Sequence, residues 1–157
     1  MQSVNVITEA FERALKRFPK LRQEAIKKAT ALAEAKVKTA ISGRINDSKG
    51  EIAGWQTSRE GSGGGYGVVK AQKGTVLRSR KSGKTVEVRP GAITNYLESG
   101  HKIRSPKTSG AKGYRPRINV AAVSGRWFYR SAEADINRIA VQAADEVCSG
   151  IVKEIEG

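Results

Sequence analysis

Cysteine is all but missing from this sequence: Cys148 is the single one in 157 residues. No intrachain disulfide can form, and a lone thiol of this kind reads as a small buried hydrophobe in a reduced compartment. Histidine is as scarce. His101 lies far upstream of Cys148 in a basic stretch with no partner motif, so the thiol–imidazole arrangement of a cysteine nucleophile is not set up. Aromatic residues make up 6% and apolar residues 38%, which predicts a thin core with some segments dependent on neighbours for order. No run of about 20 apolar residues occurs, so no membrane span is expected. The first turns carry Glu9, Glu12, Arg13, Lys16 and Arg17, without the apolar stretch of a signal peptide. The chain is therefore expected to be made and kept in the cytoplasm, unless it leaves inside an assembled particle. No metal-ligand cluster and no nucleophile motif stand out, so neither catalysis, a metal nor another cofactor is expected.

What the chain does have is positive charge, +14 in all. It is unevenly placed. Residues 1–48 hold 10 Lys and Arg against 5 Asp and Glu, residues 49–124 hold 15 against 4, and residues 125–157 hold 4 against 6. A field concentrated in the middle attracts nucleic acid or an acidic protein surface, without choosing between them.

The apolar pattern predicts one α+β domain over residues 1–157, with N-terminal helices and a long C-terminal helix packed on a small antiparallel sheet of three to five short strands. The helical part covers 4–42. Phe11, Ala14, Leu15 and Phe18 recur at helical spacing up to Pro19, which predicts a short helix to Phe18 and a longer one from about Lys20. The longer one places Ile26, Ala29, Ala33, Val37, Ala40 and Ile41 on one face, where alanines allow another helix close approach. Gly61, Gly63, Gly64, Gly65 and Gly67 predict a mobile loop over 56–67. A phosphate-cradling loop would need a Lys-Ser/Thr pair opening a helix, and none follows. The sheet region is expected over 66–123, with short β-branched runs and a hairpin from Arg78 to Arg89 turning at Ser82-Gly83. Ala92–Ser99 fits a strand or a helical turn. A flexible basic loop is expected over 101–117, then a short strand near Ile118–Val123. Phe128, Ala132, Ile136, Ile139, Ala143, Val147, Ile151 and Ile155 mark a helix over 125–156.

The order of pieces carries more than any one of them. A charged, alanine-rich helix precedes Gly54-Trp55-Gln56 and the glycine run. Leu97-Glu98-Ser99-Gly100-His101 follows, then the basic stretch, then Ser124-Gly125-Arg126-Trp127-Phe128-Tyr129 and a long helix. This order resembles the tail-component family of long-tailed double-stranded DNA phages and prophages, described as tail-completion or head–tail joining proteins. The likeness runs over nearly the whole chain, but a Pro-x-x-Thr-Gly-x-Leu signature after the first long helix is missing. The resemblance implies a structural protein of the virion neck, a homo-oligomer in a ring that is commonly hexameric and monomeric when isolated. It would join the tail tube to the head-closure or connector proteins, with double-stranded DNA passing through the centre. A tail terminator or another minor tail protein fits the same likeness. A general double-stranded nucleic-acid-binding protein is the rival from a different class.

The candidates for contact with DNA or with a neighbouring protein are Arg78, Arg80, Lys81, Lys84, Arg89, Lys102, Arg104, Lys107, Lys112, Arg115 and Arg117. Phosphate contact needs cations but no fixed spacing, so either partner is open. Packing or interface anchors are Trp55, Tyr96, Leu97, Arg126, Trp127, Phe128 and Tyr129. Phe128 is expected in the core; Trp127 and Tyr129 fit core or interface equally. Glu98 and His101 resemble an acid/base pair only superficially, and Glu98 is expected to pair with a nearby Arg or Lys.

Overall fold

The computed structural model of the chain describes residues 2–79, 83–102 and 121–156, and the side chains of all of these but 2–6 and 79. Two long helices dominate it. Helix α1 runs over Gln2–Arg44 and α4 over Phe128–Glu156. They lie antiparallel, because Arg17, Lys28 and Lys36 on α1 meet Glu154, Glu146 and Asp135 on α4 at 3.1, 2.8 and 3.5 Å. Such exposed pairs add little stability, but they fix the register in view.

Helix α1 does not break at Pro19, contrary to the sequence expectation. A mid-helix proline leaves the carbonyl four residues earlier without its donor. Here that carbonyl belongs to Leu15, and both Leu15 and Pro19 are exposed, where solvent can take the bond. The loss of about 3 kcal/mol that an interior proline brings is then outweighed by packing further along the helix.

After α1, Asp47 accepts the Ala53 N–H at 2.9 Å and so starts the short helix α2, Glu51–Gly54. The glycine-rich stretch is a hairpin rather than a mobile loop. Strand β1, Gln56–Glu60, pairs antiparallel with β2, Gly67–Ala71, with Gln56 opposite Ala71 and Glu60 opposite Gly67; a 3₁₀ turn at Ser62–Gly64 lies between them. Docking on α1 holds it. Glu34 accepts the Ser58 N–H at 2.7 Å and pairs with Lys38, and these bonds hold its carboxyl below the usual range. Gly67 permits the approach, since a Cβ there would stand 1.7 Å from Thr30 Oγ1.

Strands β3, Val76–Ser79, and β4, Thr85–Val88, form the expected second hairpin, whose tip at 80–82 falls outside the described residues. Helix α3, Pro90–Ser99, resolves the open reading of 92–99 as helix, with Pro90 in its first turn. Strand β5, Gly100–His101, pairs with β6, Val123–Ser124. The described strands thus form three separate two-stranded sheets, not one sheet of three to five strands. Of the expected strand at Ile118–Val123, residues 121–123 are described and only Val123 is in a strand, as the first residue of β6, while the basic loop over 101–117 lies outside the described residues beyond Lys102.

The core sits at one end of the helix pair. Val37, Ile41, Ile52, Trp55, Phe128 and Ala132 form it, with Val69, Ile93, Leu97 and Ile136 packed around it. Toward the other end, α1 and α4 continue as a two-helix limb whose outer faces are much barer. No helix among the described residues is long and apolar enough to cross a membrane.

Candidate functional site

Two features of the fold have the character of a site. The first is where the two short sequence motifs meet. The carbonyls of Leu97 and Glu98 accept the N–H groups of Arg126 and Trp127 at 2.7 and 3.1 Å, alongside the β5–β6 pairing. The Glu98 carboxylate then reaches over the start of α4 and accepts the Tyr129 and Arg130 N–H groups at 3.0 and 3.2 Å. A helix begins with donors that have no partner within it, and its N-terminus favours a negative charge. Glu98 supplies both the acceptors and the charge from thirty residues away.

This corrects the expectation that Glu98 pairs with an Arg or Lys side chain. It also separates Glu98 from His101. The His101 ring stands edge-on to Tyr96 at 6.1 Å, and its Nδ1 lies 3.0 Å from the Lys102 carbonyl.

Around this clasp the anchors divide. Trp55 and Phe128 are buried in the core, Leu97 packs at its edge, and Tyr96 and Trp127 are exposed. Arg126 contributes its backbone, and its carbonyl also accepts from Arg44 at 3.2 Å. Trp127, just before α4, takes φ 51, in the left-handed region a bulky residue seldom enters. The Arg130 guanidinium stands 6.0 Å over its ring. An exposed indole on a strained backbone, beside a rigid clasp, suits a contact surface better than a core.

Tyr129 is half-buried, and its hydroxyl donates to Gln56 Oε1. Burial, and then the nearby Glu98 charge, push its hydroxyl up to about 12. Gln56 is almost fully buried, and its Nε2 donates to the Ile52 carbonyl at 2.9 Å and to Thr94 Oγ1 at 3.4 Å. One amide therefore ties α2, α3 and α4 together. Gln56 belongs to the Gly54-Trp55-Gln56 piece of the sequence, but nothing local marks it as buried, since it opens β1 with no periodic pattern to place it inside. Because the folded state holds the Tyr129 proton more tightly than the unfolded chain, whose value is 10, stability is full below pH 10 and declines as pH rises from 10 toward 12. Tyr129→Phe is expected to flatten that alkaline decline in urea titrations across pH, while lowering stability at neutral pH by about 1 kcal/mol through the lost bond to Gln56.

The second feature is a groove of about 570 Å³ between α1, α4 and the first hairpin. Its floor includes Ala25, Ala29 and Ala33 of α1 and Ile136, Ala140 and Val147 of α4, with Tyr66 and Tyr129 at the sides. Cys148 lines it and is exposed, not buried as expected. The reason is geometric: the apolar positions of α4 wrap more than half-way round the helix, and α1 covers only one side of them. Arg22 closes one end, 5.8 Å over the Phe18 ring and donating to the Gly63 carbonyl at 3.0 Å.

No family model, no curated protein and no solved structure matches this chain. The groove and the clasp are therefore read on their own geometry.

The basic candidates that can be placed do not form a single patch by contact. Arg78 is engaged by Glu51 at 2.7 Å. Lys84, Arg89 and Lys102 are exposed, with no ion pair among the described residues. Arg80, Lys81, Arg104, Lys107, Lys112, Arg115 and Arg117 lie outside the described residues. No group of three His, Cys, Asp or Glu side chains gathers among the described residues.

Proposed function

We propose that this chain is a structural subunit of a phage neck or tail, completing the tail and joining it to the head connector as one member of a homo-oligomeric ring in the virion. The observation that carries this reading is the clasp. The two motifs behind the family resemblance, Leu97–His101 and Ser124–Tyr129, are apart in sequence yet lock together through backbone bonds and the Glu98 carboxylate. Two short motifs that build one structural joint are a stronger signal than two that merely share a chain. The unpartnered apolar limb of α1 and α4 also suits a subunit that packs against other proteins.

Mechanism on this reading is assembly. The core end, tied by Gln56 and Glu98, gives a rigid body. The limb and the positively charged middle of the chain supply contact surfaces, the latter toward an acidic ring face or toward DNA in the channel.

The test is production of particles from a phage genome lacking this chain. Separate heads and tails, rejoined on adding the purified protein, are the expected result. Normal particles without it would overturn the reading. The rival, a general double-stranded nucleic-acid-binding protein, draws on Lys84, Arg89 and Lys102, which are exposed and have no ion pair among the described residues, and on the basic excess of residues 49–124. Gel-shift titration at several salt concentrations separates the two: tight binding by the free monomer with a steep salt slope favours the rival.

A further inference from the structure

Trp127 has structural duties that need no side chain. Its N–H donates to the Glu98 carbonyl at 3.1 Å, and its carbonyl accepts the Ser131 N–H at 2.9 Å as α4 begins. Both bonds belong to the backbone, and glycine takes φ 51 without the strain that a bulky residue meets there. The ring itself is 44% exposed and takes no part in the cluster around Phe128. A fold that does not use this ring therefore holds it out to solvent on a fixed, strained backbone. Strain of this kind gathers at binding and active sites.

The surroundings of the ring are cationic. Arg130 stands 6.0 Å over it, and Arg44, the last residue of α1, donates to the adjoining Arg126 carbonyl at 3.2 Å. Arg44, Arg126 and Arg130 are exposed, and none has an ion pair among the described residues. Glu98 and Asp47 are turned to backbone N–H groups, and Glu51 and Asp135 to other bases. Glu133 lies one turn beyond Arg130 on α4, and no Asp or Glu stands between Glu98 and Glu133 in the sequence. The N–H groups of Tyr129 and Arg130 are already taken by Glu98, so what remains here is a surface of side chains.

We propose that Trp127 with Arg44, Arg126 and Arg130 is the anchor by which this chain docks an acidic segment of a partner protein, the indole entering an apolar pocket and the guanidinium groups gripping carboxylates around it. Tryptophan and arginine are the side chains most enriched where protein interfaces concentrate their binding energy. A guanidinium meets a carboxylate with two parallel N–H bonds. Phosphates would suit the arginines equally, but not the indole. A paired duplex opens a ring face to it only where a base step is unstacked. Grooves for single strands set successive aromatics along a cationic track, whereas Tyr96, the other exposed ring near the joint, is edge-on to His101. This proposal rests on the assembly reading above for its biological setting, though not for its geometry.

Trp55 is buried, so acrylamide quenching of tryptophan emission reports chiefly on Trp127. The full chain would be titrated with a copolymer of glutamate and tyrosine, which offers carboxylates and apolar rings together, and in parallel with a short DNA duplex. The copolymer is expected to shield the indole from acrylamide and to shift its emission to the blue. Binding measured by calorimetry should weaken by about tenfold or more in Trp127→Gly, with thermal melting unchanged or raised. Arg126→Gln combined with Arg130→Gln should weaken it to a similar degree. Lys84→Gln combined with Arg89→Gln removes the same charge elsewhere and should weaken it far less.

Three results would overturn the proposal. Lower melting of Trp127→Gly would give the ring to the fold. Equal weakening by the two double variants would leave net charge as the only cause. Shielding of the indole by the duplex and not by the copolymer would make the surface a nucleic-acid contact. Failure here is distinguishable from failure of the neck assignment. Particles that need the protein yet form normally with Trp127→Gly would remove the anchor alone, whereas an anchor that binds in solution, on a protein that particles do not need, would remove the neck assignment alone.

Discussion

Truncating Phe128 to alanine is expected to lower stability by about 3–5 kcal/mol, the usual range for deleting a fully buried phenylalanine. The side chain is 0% exposed and packs with Val37, Ile41, Ile52, Trp55 and Ala132, so its ring joins α1, α2 and the start of α4 in one cluster. The core is small and lies at one end of the helix pair, so few other contacts can close over the void. Against a total of about 5–15 kcal/mol for a domain, such a loss leaves a protein close to unfolding. The measurement is urea denaturation at a dilution where the chain is monomeric, with a lower midpoint and an unchanged slope expected. Phe11→Ala is the matched control. The same side chain, half-exposed on α1, should change stability by less than about 0.5 kcal/mol. Equal losses at the two positions would show that the cluster around Phe128 is not the centre of the fold.

That contrast also explains how much could be read in advance. Helix α4 was legible because its apolar residues keep a helical period over most of its length, and Phe128 stood out as the bulky residue at its start. The period says that a face is apolar; it does not say that the face is covered. Phe11 and Leu15 satisfy the same pattern as Val37 and Ile41, yet only the latter two cluster with Ile52 of α2, Trp55 and Phe128 of α4. Pro19 misled in the opposite direction. The rule that proline ends a helix concerns a missing donor and a crowded carbonyl, and both effects fall here on the exposed side of α1, where they are least damaging.

The glycine run misled for a related reason. Counted along the chain, glycines 61–67 signal high backbone entropy, but the order of this hairpin comes from α1. Glu34 holds Ser58, Thr30 faces Gly67, and Arg22 holds the Gly63 carbonyl. None of those partners is local. The clasp was half legible: both motifs could be seen, but not that they touch. Glu98 looked like an acid in search of a base because the donors it serves are backbone groups of Tyr129 and Arg130, and backbone donors leave no trace in the residue letters. Gln56 was missed for the same kind of reason, since a buried amide is recognised by its partners at Ile52, Thr94 and Tyr129 and not by its neighbours in the chain.

The clasp itself furnishes the second large effect, expected from Gly100→Ala. Gly100 ends α3 with φ 70 and ψ −160, a region of backbone space essentially confined to glycine. A Cβ there would also stand 2.0 Å from the Val123 carbonyl oxygen and 2.5 Å from the Gly125 nitrogen, both backbone atoms with no rotamer to change. On the other side of the joint, a Cβ on Gly125 would stand 2.2 Å from the Glu98 carbonyl oxygen, so neither strand can shift away cheaply. The variant must open the β5–β6 pairing, and opening it withdraws Glu98 from the start of α4. The conformational strain of about 1–3 kcal/mol is then compounded by the loss of charge-assisted bonds at the helix terminus, worth roughly 1.5–3 kcal/mol when made to an ionised group. A fall in melting temperature of at least about 5 °C is expected for a chain of this size. Gly91→Ala is the informative comparison. Gly91 lies in α3 with open space where a Cβ would go and no positive φ, so alanine there should leave stability equal or raise it by up to about 1 kcal/mol. Glu98→Gln separates the two contributions to the Gly100 loss. It keeps the backbone joint but removes the charge, and should cost only the part that belongs to the end of α4, with the β5–β6 amides still protected in hydrogen exchange. If Gly100→Ala proved as mild as Gly91→Ala, the two motifs would not be held against each other as described, and the joint that underlies the functional proposal would be absent.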